Sequence, residues 1–181
     1  MPVPDRDGRV PQVGVTGHVN VSEDVARWVT TALTERLGRL AVDRPPGHPQ
    51  DRHRLHGITC LAAGADQIFA RVVLALRGTL DVVLPARDYA GRMAQTDNAD
   101  AFRELLSKAD HVDTMPFATS SRNAYRAASE AMVRRCDLLL AVWNGEPSRN
   151  VGDTADVVAL ARERRVPVEV LWPTAPPPPS G

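Results

Sequence analysis

Cysteine is scarce in this 181-residue chain: there are two, Cys60 and Cys136, with no Cys-x-x-Cys spacing. Without that spacing no metal site and no redox pair is expected, and two reduced thiols buried in apolar runs are. An excess of either charge is lacking too. Lys+Arg and Asp+Glu number 22 each, so the formal charge is zero. A balanced chain makes no electrostatic case for nucleic acid or an anionic membrane, and neither is expected as a partner. Single arginines and helix ends can still bind an anion locally. No charged, then apolar, then small-residue signal opens the chain. No apolar run approaches the roughly 18 residues of a membrane span. A cytoplasmic protein is the expectation. Two nucleotide signatures are also missing, a complete G-x-G-x-x-G and a G-x-x-x-x-G-K-[ST]. The ordinary dinucleotide fingerprint and the P-loop are thereby excluded. His48, His53 and His56 match neither a helical i, i+4 pair nor a zinc pattern, so no metal and no cofactor is expected.

What the chain does have is alternation. Hydrophobic residues make up 43 %, enough with this length for one domain with a full core. Val10 to Thr16 reads as a strand. A helix follows, with Val25, Trp28, Val29, Leu33, Leu37 and Leu40 on one stripe. Ala41 to His56 is Pro-, His- and Arg-rich and reads as a surface loop. Ile58 to Cys60 is a short strand that leads into a helix through Leu76. Thr79 to Leu84 is a strand stopped by Pro85, Ala86 to Gln95 a loop, Asp97 to Ala109 a helix, and His111 to Met115 a strand. Ser120 or Ser121 caps a helix to about Cys136. Asp137 to Trp143 is the clearest strand, followed by a loop, a helix over Thr154 to Arg164 and a last strand over Val166 to Trp172. Strands alternating with helices predict an α/β fold: a three-layer, Rossmann-like domain with a mainly parallel sheet. The expected single domain spans 10–173, with flexible ends at 1–9 and 174–181.

Ligands of open parallel sheets sit beyond the carboxyl ends of the strands. Five strand ends qualify, Pro85-Ala86 among them, and four carry candidate ligand residues. Thr16, Gly17 and His18 follow the first strand; glycine lets backbone N–H groups face a phosphate, and the histidine offers a donor or a ring. Gly64, Ala65 and Asp66 form a tight turn into a helix, with a carboxylate that can cap that helix or take a ligand hydroxyl. Arg122 and Asn123 open the next candidate helix, the arginine as a charged fork for phosphate. Gly152, Asp153 and Thr154 open the last long helix, whose N–H groups suit an anion. Trp143 ends the strongest strand and can stack on an adenine. The expected ligand is a nucleotide-like small molecule, its phosphate and ribose held at these strand ends and helix starts.

Together, Val13-Gly14-Val15-Thr16-Gly17-His18, Leu61-Ala62-Ala63-Gly64-Ala65-Asp66, Arg122-Asn123 and Gly152-Asp153-Thr154-Ala155-Asp156 resemble the SLOG superfamily, named for the SMF/DprA and LOG proteins. The resemblance runs from about Val10 to Pro173. It implies a Rossmann-like domain that binds nucleotides or nucleotide-derived ligands. The LOG branch cleaves the N-glycosidic bond of a nucleoside monophosphate with a Pro-Gly-Gly-x-Gly-Thr-x-x-Glu segment. Here Pro-Gly-Gly is missing, Asp153 stands where the family often has glycine, and the carboxylate is spaced differently. Binding or sensing without turnover is therefore the first expectation. A LOG-like hydrolase, and an interaction protein with a vestigial site, are the alternatives. Homo-oligomerisation stays open.

Overall fold

A computed structural model of the chain describes residues 10–42, 55–147 and 153–173. The expected end segments, Gly152 and most of the Ala41–His56 stretch lie outside them. Six strands, β1 (Gln12–Gly17), β2 (His56–Thr59), β3 (Thr79–Leu84), β4 (His111–Thr114), β5 (Leu138–Val142) and β6 (Val168–Leu171), form one sheet in the order β4-β3-β2-β1-β5-β6. Every pairing is parallel. The fold is α/β and Rossmann-like.

The apolar runs explain the order. Central β5 is buried along its whole length, as a parallel strand covered on both faces must be. Edge strand β4 is largely exposed and carries His111, Asp113 and Thr114, residues that water can solvate. Side chains alternate across the sheet. Val13, Val15, Leu80 and Val82 join one core layer with Leu33 and Leu37 of α1 (Glu23–Val42) and Phe69 of α2 (Ala65–Ala75). Ile58, Val83 and Leu139 face the other layer, with Met132 of α5 (Arg122–Arg135) and Val157 of α6 (Thr154–Glu163). Two further helices, α3 (Tyr89–Met93) and α4 (Ala99–Ser107), connect β3 to β4. The short α3 lies where the sequence predicts a loop. Its buried Tyr89, packed edge-on to Phe102 of α4 at 5.9 Å, anchors it in place of a periodic stripe.

From β1 the chain steps outward through β2, β3 and β4, then returns to place β5 on the other side of β1. Strand order therefore reverses between β1 and β5. That is where an open α/β sheet leaves a crevice at its carboxyl edge.

Candidate functional site

A cleft of about 630 Å³ lies over this reversal point. Residues of the β1, β2 and β3 ends, α5 and the start of α6 line it.

The corner after β1 is closely packed. A Cβ on Gly17 would stand 2.5 Å from that of Ala65 and 2.8 Å from that of Val142. Glycine here lets α2 and β5 approach β1, and Thr16, Gly17 and His18 all border the cleft. The His18 Nε2 atom lies 3.2 Å from Oδ1 of Asn144, and its ring meets Trp172 edge-on at 5.2 Å. Both contacts fix the imidazole at the rim.

The corner after β2 is wired internally. Leu61 has φ +58, and Gly64 has φ +75 with ψ −122, a region open in practice to glycine alone. The carbonyl oxygens of His18 and Val19 occupy the space a Gly64 Cβ would need. The Ala65 N–H at the start of α2 donates to the His18 carbonyl at 3.2 Å. Gly64 and Ala65 thus join α2 to the β1–α1 connection and do not border the cleft. Asp66 does border it. Its carboxylate accepts from the Thr59 hydroxyl at 3.0 Å and from the Ala62 N–H at 3.4 Å, while Thr59 Oγ1 accepts from the Leu61 N–H. Burial pushes the Asp66 carboxyl up to about 6, against the opposing pull of these hydrogen bonds.

Arg122 and Asn123 are not among the residues that line the cleft and are exposed in the first turn of α5. That turn is held by Ser121, whose Oγ accepts from the Ala124 N–H at 3.2 Å. Asp88 holds the preceding residue, accepting from the Ser120 N–H and hydroxyl at 2.8 and 2.7 Å. What α5 turns to the cleft is the stripe Tyr125, Ala128, Ser129 and Met132. Its i, i+3, i+4, i+7 spacing was the available signal in the sequence.

At α6, Asp153 and Thr154 border the cleft, and Gly152 lies outside the described residues. Asp153 Oδ1 accepts from the Ala155 N–H at 3.2 Å, so this carboxylate caps its own helix.

Two tyrosines complete the walls. Tyr89 and Tyr125 meet edge-on at 6.1 Å, and Tyr125 keeps 39 % of its surface in water. Burial, with Asp66 and Cys60 adding, pushes the Tyr89 hydroxyl well above its ordinary value, so it remains a neutral donor. Burial likewise pushes up the Cys60 thiol, which borders the cleft, and pushes Cys136 up to about 12. Both are free thiols, half-buried at Cys60 and buried at Cys136, and the upward shift favours their protonated form. Trp143 does not border the cleft. Its Nε1–H donates to the Glu146 carbonyl at 2.8 Å. Among the described residues no cluster of three His, Cys, Asp or Glu side chains could hold a metal ion, and no helix is long and apolar enough to cross a membrane.

No protein-family model matches the chain, and no curated protein matches it. Solved structures do. DNA processing protein A from Streptococcus pneumoniae superposes with a TM-score of 0.64 at 16 % identity, over 91 % of this chain and 51 % of that one. The Helicobacter pylori protein of that name, solved for its single-stranded DNA binding mode, gives 0.63 at 14 %, over 91 % and 66 %. A molybdenum cofactor binding protein from Rippkaea orientalis gives 0.55 at 16 %, over 90 % and 76 %. The chain shares the Rossmann-like α/β fold of these proteins. It spans between half and two thirds of the length of the two DNA processing proteins. Their likeness corrects one expectation, that nucleic acid is not a partner. The Helicobacter pylori protein with this fold is one that binds single-stranded DNA, so a balanced net charge is no ground for setting nucleic acid aside. Zero net charge is a sum over the whole chain, and it carries no information on how the arginines are distributed.

Proposed function

We propose that the cleft at the β1/β5 reversal binds a nucleotide-type ligand and does not turn it over quickly. One observation carries this: a cleft of about 630 Å³, of ligand size, combines two tyrosines with the hydroxyls of Thr16, Ser129 and Thr154 and the carboxylates of Asp66 and Asp153. Aromatic rings suit a base, and hydroxyl and carboxylate oxygens suit a ribose. Turnover of an N-glycosidic bond needs a carboxylate at the sugar carbon and a donor to the leaving base. Asp66 is committed to Thr59 and Ala62, and Asp153 to the α6 N-terminus. Both carboxylates are thus oriented as acceptors by donors of the protein itself, the role of a binding group and not of an acid–base pair.

The test is a thermal-shift screen over nucleosides, nucleotides, ADP-ribose, NAD, cyclic nucleotides and a single-stranded oligodeoxynucleotide. A ligand at about 100 times its Kd adds roughly 2.7 kcal/mol of stability. The expected result is a shift with at least one mononucleoside-sized compound that Tyr125→Ala reduces. A shift by the oligonucleotide alone, or by nothing, refutes the reading. So does release of free base from a nucleoside monophosphate at about 1 per second or faster.

A further inference from the structure

We infer that this cleft is a nucleoside subsite, one that recognises base and sugar and discriminates against phosphate seated within it. The inference rests on the ligand reading above and deepens it. Its ground is the charge and hydrogen-bond state of the cleft walls. Among the described residues that line the cleft there is no lysine and no arginine, while Asp66 and Asp153 both contribute carboxylates. Arg122, the cation the sequence offers for a phosphate, stands outside the lining.

The helix starts do not make up for this. An anion at a helix N-terminus needs backbone N–H groups facing it. At α2 the Ala65 N–H is taken by the His18 carbonyl at 3.2 Å. At α5 the Ala124 N–H is taken by Ser121 Oγ at 3.2 Å. At α6 the Ala155 N–H is taken by Asp153 Oδ1 at 3.2 Å, which also places a negative group where the anion would sit. At each of these three helix starts one backbone N–H is already engaged from within the chain.

What remains suits an uncharged ligand. Tyr125 offers a ring partly in water, against which a base can lie with Tyr89 behind it. The Ser129 and Thr154 hydroxyls and the Asp153 carboxylate can exchange hydrogen bonds with ribose hydroxyls or an exocyclic amino group. A phosphate in the same space meets two like charges across a partly dry wall, where repulsion is weakly screened.

The experiment is calorimetric titration of the whole chain with adenosine, guanosine, cytidine and uridine, each beside its mono- and triphosphate, and with inorganic phosphate. The expected result is a nucleoside bound at least as tightly as its monophosphate and at least tenfold more tightly than its triphosphate. Asp153→Asn, which keeps an acceptor for the Ala155 N–H, should narrow the gap between nucleoside and triphosphate severalfold. Affinity that rises tenfold or more as phosphates are added overturns the inference and leaves nucleotide binding standing. Binding of inorganic phosphate in competition with a nucleoside overturns it equally. Failure of every nucleoside and nucleotide to bind overturns both readings.

Discussion

Replacing Asp66 by asparagine should change how stability depends on pH more than it changes the fold. Asp66 is 6 % exposed and sits below the cleft with its carboxylate turned to Thr59 and Ala62. Burial holds its carboxyl at about 6 in the folded protein, against an ordinary 3.8. Between those values the native state binds the proton that the unfolded chain releases. The favourable contribution is complete below about pH 4 and is lost as pH rises through about 6. At 1.36 kcal/mol for each tenfold in acidity, the loss amounts to about 3 kcal/mol. The amide of the Asp66→Asn variant cannot titrate, though its Oδ1 can still accept from Thr59 and Ala62. It carries a pH-independent cost of about 1–3 kcal/mol for burying an amide N–H₂ group without a partner. Urea denaturation of both proteins at pH 4, 5, 6, 7 and 8 gives the two curves, and their difference cancels titrations that do not involve Asp66. Wild-type stability minus variant stability should fall by up to about 3 kcal/mol from pH 4 to pH 7 and then level off. A difference that stays flat refutes the assignment. A difference that rises with pH shows that the hydrogen bonds to the carboxylate outweigh its burial.

Three further outcomes are expected. Gly64→Ala should lose about 2–4 kcal/mol, since it forces a side chain into a positive φ and against the His18 and Val19 carbonyls, and urea denaturation measures it. Arg36→Ala should lose about 1–2 kcal/mol, because its guanidinium holds Glu169 of β6 with bonds of 2.5 and 2.6 Å and both side chains are mostly buried; a thermal-melt loss below about 0.5 kcal/mol would class the pair with ordinary surface bridges. Tyr125→Ala should weaken binding of whichever nucleoside the screen returns by about 1–3 kcal/mol with little change in melting temperature, because the ring is 39 % exposed; unchanged calorimetric affinity removes it from the site.

Strand positions were legible because a buried parallel strand must be apolar throughout, and Leu138 to Val142 can be little else. A cap at Ser120 or Ser121, which falls at Ser121, and the strand Thr79–Leu84 were legible for similarly local reasons. The helix α3 was not, because five residues with one buried tyrosine carry no measurable period. The site divided along the same line. Residues at strand ends, Thr16, Gly17, His18, Asp66, Asp153 and Thr154, reach the cleft since topology alone brings them there. Arg122 and Asn123 do not. A residue in the first turn of a helix can point along the helix or away from it, and sequence does not say which. The stripe Tyr125, Ala128, Ser129 and Met132 could have been found by carrying the helical period one turn further.

Small-residue corners have two uses that look alike in sequence. A glycine beside a helix start can leave room for a ligand's phosphate, or for the protein's own backbone. Gly17 and Gly64 both serve the second use. Gly17 admits Ala65 and Val142, and Gly64 admits the carbonyls of His18 and Val19. The two glycines belong to one contact, in which the turn after β1 lies on the start of α2 and takes its first N–H. The chemistry of the cleft then rests on side chains, Tyr125 and Ser129 of α5 and Asp153 and Thr154 at the start of α6. Ligand selectivity in this chain should therefore follow substitutions on the inner stripe of α5 more closely than substitutions in the glycine corners. Changes in those corners should act first on stability.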